Sequence, residues 1–179
     1  MSAPLEFVGT AHPPAKKKRD HPADLSEAEI AASNLGSRYG KGETTPILIE
    51  HEGEPVGKVI SSYKAPSGSL RVLGTIHDER AKKLVREGKM LGLSLGTDVV
   101  HREGEEDNPV VRTVQELSIC VEPRRRGCYI SQVDGQTYRT ATMAASKQNG
   151  ELQQRTAYTH PPAQTPHAVS HIAINLSAG

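Results

Sequence analysis

Three kinds of side chain that can cooperate in acyl transfer sit on short β-like runs of this chain. Ser94 offers a hydroxyl in Gly92-Leu93-Ser94-Leu95-Gly96. His51 offers an imidazole after Ile47-Leu48-Ile49-Glu50, and Glu116 offers a carboxylate in Glu116-Leu117-Ser118-Ile119-Cys120. Guanidiniums follow at Arg124, Arg125 and Arg126. A serine hydroxyl is a poor nucleophile until a neighbouring base removes its proton during attack. That base needs a partner to fix its tautomer and stabilise the imidazolium. Ser94, His51 and Glu116 can fill these roles if their strands lie side by side. Asp98 and His101, shortly after the Ser94 run, compete with Glu116 for the third place, with a turn acid and a surface imidazole as their ordinary alternatives. For Ser94 the ordinary alternative is a small residue in a buried strand, and for Arg124 to Arg126 it is a solvated turn.

The elements that must position these groups read mostly as strands. Residues 4–10 form a short first strand that runs into a Pro- and Lys-rich loop, expected to be mobile over 11–25. Ser26-Glu27-Ala28-Glu29 is a capping box, in which the Ser hydroxyl accepts from the third helical N–H while the Glu reaches back. It starts a helix to about Asn34, ended by Gly36. From Ile47 the period becomes two, with Ile47, Ile49 and His51 on one side of a strand. A turn at Gly53 leads to a strand over Val56 to Tyr63, and Pro66-Ser67-Gly68 turns into another over Leu70 to Ile76. Ala81, Leu84 and Val85 have helical spacing after Asp78, with Gly88 where a C-terminal cap belongs. In Leu91 to Leu95 the two leucines flanking Ser94 point into the core and Ser94 points the other way. Asp98 to Val100 continues that strand into an acidic loop. Over Val110 to Val121, Leu117, Ile119 and Val121 face one side and Glu116, Ser118 and Cys120 the other. A turn at Arg124 to Gly127 precedes a last strand over Cys128 to Val133.

Composition narrows the class. The 179 residues suit one domain, and with no Trp, one Phe and five Tyr the core must come from Val, Ile, Leu and Ala, which favours strands. A net charge of +1 from 22 basic and 21 acidic residues argues against nucleic acid or anionic lipid as a partner. Lys16-Lys17-Lys18-Arg19 is the local exception, either a solvated cluster or a nuclear import signal. No apolar stretch reaches bilayer length and no secretory segment is evident, so a soluble, intracellular protein is expected. The two cysteines, Cys120 and Cys128, are too few for a disulfide framework or a zinc site and read as reduced, packed thiols. Beyond about Gln136 the composition turns polar and small, a tail that cannot bury enough apolar surface to offset its ordering entropy.

Taken together, three segments resemble the herpesvirus capsid maturation protease, assemblin, and more distantly the prohead proteases of tailed phages. They are Ile49-Glu50-His51 with Val56-Gly57-Lys58-Val59, then Gly92-Leu93-Ser94-Leu95, then Cys120-Val121-Glu122-Pro123-Arg124-Arg125-Arg126-Gly127, and they span about 47 to 130. The resemblance implies a mostly β fold with peripheral α-helices, an assemblin-like closed β-barrel followed by a flexible C-terminal tail. It also implies a serine endopeptidase that cleaves itself and a scaffold protein during viral capsid maturation, inside immature capsids in the host nucleus or cytoplasm.

By position, the resemblance puts the nucleophile on Ser94, the general base on His51 and the oxyanion-stabilising pair on Arg124 and Arg125. In one respect the chain departs from the pattern. Assemblins use a second histidine as third triad member, and counting back from Arg124 that position is Glu116 here, where a carboxylate is chemically adequate. The family cuts after an alanine that precedes a serine, which places self-cleavage between Ala145 and Ser146. Residues 1–145 are then the protease domain and 146–179 a flexible linker or the start of a scaffold portion. A scaffold or assembly protein is the implied substrate and a homodimer the implied assembly, with no metal, organic cofactor, nucleic acid or membrane required. The alternative is a non-catalytic β-barrel interaction module in capsid assembly.

Overall fold

The computed structural model of the chain describes residues 2–37, 43–104 and 111–137. Alternation of apolar and polar side chains sets the strands. In β1 (Leu5–His12) Leu5, Phe7 and Ala11 are buried, and in β4 (Leu70–Ile76) Leu70, Val72 and Ile76 are fully buried while the alternate residues Arg71, Leu73 and Thr75 are partly exposed. The other strands are β2 (Pro46–Ile49), β3 (Glu52–Lys64), β5 (Gly92–Val100), β6 (Val111–Cys120), β7 (Ile130–Val133) and β8 (Gln136–Thr137). They form one sheet in the order β5-β6-β2-β3-β4-β1-β7-β8. Every pairing is antiparallel except β2 with β6, where Ile47, Leu48 and Ile49 run parallel beside Leu117, Ser118 and Ile119.

Contrary to the expected closed barrel, the sheet does not close. The start of β5 touches the segment before β7 at a single bridge, Gly92 to Tyr129, flanked by hydrogen bonds from Leu93 N to Cys128 O and from Ile130 N to Leu91 O, each 2.8 Å. The ladder stops there because β7 pairs with β1 on one side and with β8 on the other, through Gln132 with Thr137 and Val133 with Gln136. The expected last strand from Cys128 therefore begins as a ladder only at Ile130, and β8 is an addition that the polar sequence after Val133 did not signal.

Among the described residues, two short helices complete the core. In α1 (Glu27–Ala32) the expected capping box is present, the helix stops two residues short of Asn34, and Ile30 is buried. In α2 (Glu79–Arg86) the Asp78 side chain accepts from Ala81 N, while Ala81 and Val85 pack into the core. Gly88, at φ 70, ends the helix: its N–H bonds Val85 O at 2.9 Å and the next N–H, of Lys89, bonds Leu84 O at 2.9 Å. This reciprocal pair satisfies two orphan carbonyls and needs a left-handed residue, which glycine adopts without a Cβ clash. The buried Lys82 of α2 reaches back to Ser2 Oγ at 2.6 Å and Ala3 O at 3.1 Å, fastening the segment before β1 to the helix.

The β2–β3 connection differs from expectation in a way that matters for chemistry. The sequence suggests a strand through His51 and a turn at Gly53, whereas the turn is Glu50-His51 itself, closed by Ile49 opposite Glu52. Both turn residues are left-handed, at φ 50 and 64, and Gly53 lies inside β3. A two-residue hairpin matching strand twist needs positive φ at both positions, normally supplied by Asn-Gly, so Glu-His gave no turn signal.

Candidate active site

Register brings the chemistry onto one face of the β5–β6 pair. Ser94 stands opposite Ser118 and Gly96 opposite Glu116, so Ser94 and Glu116 are diagonal neighbours on that face. Leu93, Leu95, Leu117 and Ile119, of opposite parity, fill the core beneath. Such diagonals are about 7–8 Å apart, a gap that a side chain can bridge. The parallel β2–β6 pairing carries the Glu50-His51 turn over this diagonal, with Glu50 N bonded to Ile119 O at 3.0 Å.

His51 fills the gap. Its Nε2 lies 3.0 Å from Ser94 Oγ and its Nδ1 hydrogen-bonds Glu116 Oε1. With the Nδ1 proton donated to the carboxylate, the Nε2 lone pair faces the hydroxyl. Ser94 and Glu116 are each 9% exposed, and the His51 side chain is 43% exposed. The hydroxyl and imidazole are therefore reachable from the imidazole side, while the carboxylate is screened behind them.

Of the residues considered from sequence, the structure brings together Ser94, His51 and Glu116. Asp98 is exposed on β5 opposite Thr113 and His101 is exposed after β5, and the Nδ1 of His51 is engaged by Glu116 instead. The two arginines are separated. Arg125 is buried: its Nε donates to Asp24 Oδ1 at 2.8 Å and its NH2 to Ala23 O at 3.1 Å. Arg124 is exposed, with its NH2 3.1 Å from His21 Nδ1; partial loss of solvent around its guanidinium, followed by the adjacent Arg125 charge, lowers its pKa below the usual guanidinium value. The Arg125 guanidinium thus anchors residues 23–24, and Arg112 adds a bond to Pro22 O at 2.7 Å. The loop between β1 and α1 is fastened at this end, and β1 itself continues through Ala11 and His12. Ala145 and Ser146, with the rest of the tail, lie outside the described residues.

Three contributors escaped the sequence reading. Ser118 is fully buried, donates from Oγ to Glu116 Oε2 at 2.8 Å and accepts from His51 N at 2.9 Å. Its position two residues from Glu116, hence on the same face, was the available signal. Glu50 is exposed but accepts from Val121 N at 2.8 Å, tying the turn to the segment that leads into the arginines. Gly96 leaves the space that the Glu116 carboxylate occupies. Cys120 and Cys128 are free and buried, as expected, and burial pushes both thiols up to about 12.

No protein-family model matches the chain, and no curated protein matches it in sequence. Among solved structures it is similar to the KSHV protease in a crystal structure with a hexapeptide phosphonate inhibitor. The TM-score is 0.54 at 18% identity, covering 80% of this chain and 69% of that one. Two room-temperature structures of the Kaposi's sarcoma-associated herpesvirus protease, with allosteric inhibitors (compounds 733 and 250), match with a TM-score of 0.47 at 18% identity, covering 90% and 95% of this chain and 99% of each of those. In fold, the described part of this chain, mostly β with two short helices, resembles a herpesvirus protease.

Proposed function

We propose that the chain is a serine endopeptidase of the assemblin type, which cleaves itself and a scaffold protein during viral capsid maturation, inside immature capsids in the host nucleus or cytoplasm. The observation that carries the reading is the continuous relay from Ser94 Oγ through His51 to Glu116 on a fold like that of the herpesvirus protease. In this reading Ser94 Oγ attacks the scissile carbonyl carbon as its proton passes to His51 Nε2. Collapse of the tetrahedral intermediate expels the amine, which takes that proton from His51, and leaves an ester on Ser94. Water, deprotonated by His51, then adds to the ester, and the returning proton regenerates the serine. Glu116 holds the imidazole and stabilises its protonated form throughout.

Arg124 and Arg125 serve the oxyanion as a backbone and side-chain donor set. Since the Arg125 guanidinium is engaged with Asp24 and Ala23, its backbone N–H is the donor this reading assigns to it, and Arg124 brings the freer side chain. Self-cleavage falls between Ala145 and Ser146, a homodimer is the proposed assembly, and Lys16 to Arg19 is either a solvated cluster or an import signal. The more distant kinship to phage prohead proteases belongs to this proposal and rests on the same three segments, Ile49-Glu50-His51 with Val56-Gly57-Lys58-Val59, Gly92–Leu95 and Cys120–Gly127.

The test is to express the full chain beside Ser94→Ala and weigh the products. Loss of residues 146–179 in the wild type alone supports catalysis at Ser94. Uncleaved chains in both samples, differing in mass only by the serine oxygen, together with no covalent labelling of Ser94 by a peptidyl phosphonate, overturn it in favour of the non-catalytic interaction module. Glu116→Gln keeps the shape but withdraws the charge, and is expected to lower turnover by about 10²- to 10⁴-fold with the unfolding midpoint little changed.

A further inference from the structure

We propose that Ser118 is a positioning residue that holds the acid and the base of the site in register through a single buried hydroxyl. The inference rests on the acyl-transfer reading for its effect on rate, but its geometry stands apart from it.

The Glu50-His51 turn is strained. Two non-glycine residues at φ 50 and 64 occupy a region that L side chains rarely adopt and that persists only where the surroundings over-determine it. Here β6 supplies the restraint through three bonds: Glu50 N to Ile119 O, His51 N to Ser118 Oγ, and Val121 N to Glu50 Oε1. Of these, the bond to Ser118 is made by the base's own backbone and is buried on the Ser118 side.

A hydroxyl has one donor and two acceptor sites, and Ser118 uses both kinds. Accepting from His51 N fixes where the imidazole starts, and it leaves the hydroxyl proton for Glu116 Oε2. That bond fixes the carboxylate's plane, so Oε1 is left for His51 Nδ1. Glu116, Ser118 and the His51 backbone therefore form a closed ring of contacts, and the imidazole cannot drift from the carboxylate without breaking one of them. An alanine at 118 leaves the His51 N–H without its partner and frees the carboxylate to rotate about its own side chain.

A double-mutant cycle on the full chain tests this, with the rate of Ser94 labelling by a peptidyl phosphonate as the readout. Each variant is first checked for cooperative unfolding. S118A is expected to slow labelling by about tenfold to a hundredfold in the wild-type background and by less than about twofold in E116Q, where the carboxylate it orients has lost its charge. An equal loss in both backgrounds marks Ser118 as merely structural and overturns the proposal, as does no loss in either. Should S118A fail to fold, the near-isosteric S118C, a weak donor, is put through the same cycle with the same criteria. If wild-type Ser94 is not labelled at all, the acyl-transfer reading fails and the positioning proposal is judged by NMR. Loss of the low-field His51 Nδ1 proton resonance in S118A, or in S118C should S118A not fold, supports it, and an unchanged resonance in that variant overturns it.

Discussion

Gly96 and Glu116 face each other across the β5–β6 ladder so closely that a methyl group on Gly96 would lie 2.0 Å from Glu116 Oε1 and 2.7 Å from its carboxyl carbon. The missing Cβ is the space in which the acid rests while it holds His51. Because the obstructing atoms are the outer end of a jointed side chain, Gly96→Ala is relieved by Glu116 swinging away rather than by backbone strain. The expected result is a drop of about 10²-fold in Ser94 reactivity, toward the effect of losing the acid, with a stability loss at the low end of the roughly 1–3 kcal/mol typical of overpacking. Phosphonate labelling and a urea titration on the same samples check both; a large stability loss with unchanged labelling sinks the argument.

Much of this arrangement can be read from residue order, for local reasons. Parity along a strand is a property of the backbone, so Ser94 opposite in facing to Leu93 and Leu95, and Glu116 to Leu117, follow from sequence alone. The Ser26 capping box and the Asp78-to-Gly88 helix carry their own start and stop chemistry. What escaped is non-local or chemically disguised. The parallel pairing of β2 with β6 joins residues about seventy positions apart, and nothing in either segment announces it. The Glu50-His51 turn lacks the glycine or asparagine that its dihedrals favour. Arg125 sits in a run of three arginines that looks like a solvated turn, yet only its neighbours there are exposed.

Arg125 with Asp24 is a pair whose removal should be felt throughout this end of the sheet. Their side chains are 7% and 18% exposed, so taking away the guanidinium strands a carboxylate and the Ala23 carbonyl. Arg125→Ala is expected to cost about 3 kcal/mol, the scale for breaking a buried pair from one side. Adding Asp24→Ala to that variant should not double the loss, because the stranded charge goes with it. Denaturant midpoints of the two single variants and the double check the coupling, and strict additivity contradicts it.

Cys120 and Cys128 make a sharper contrast with Ser94 than their place near the arginines suggests. Burial first, aided at Cys120 by the Glu50 charge, holds both thiols up to about 12, so the thiolate fraction at neutral pH is negligible. Native protein at pH 8 is expected to react with a thiol-selective disulfide reagent at least 10²-fold more slowly than unfolded protein, at both positions. Rapid modification of either cysteine without loss of the native fold would show that these walls open.

His12 gives the fold a pH dependence whose sign can be worked out. Buried to 2% exposure, its Nδ1 lies 2.6 Å from Pro13 O and its Nε2 accepts from Leu25 N at 3.0 Å, an arrangement that only the neutral ring can make. Burial lowers its pKa from the ordinary 6.5, and the Arg125 charge adds to this, against opposing contributions from the Pro13 hydrogen bond, Asp24 and Glu29. The folded chain therefore binds fewer protons here than the unfolded chain does, so stability is fully present above about 6.5 and falls as the pH drops toward the lowered folded value. Asp24 adds a second loss at lower pH. Burial alone would raise its carboxyl, but the hydrogen bond and charge of Arg125, then His12, hold it below the ordinary 3.8. Urea midpoints at pH 7.5 and pH 5.5 should show the decline, and His12→Gln, which cannot titrate, should show a smaller one. Protonating His12 also forfeits the Leu25 bond at one end of the loop that Arg125 holds through Asp24 and Ala23. Hydrogen exchange at Leu25 should therefore accelerate on acidification before it does in β4, and a uniform acceleration across both segments contradicts a local origin.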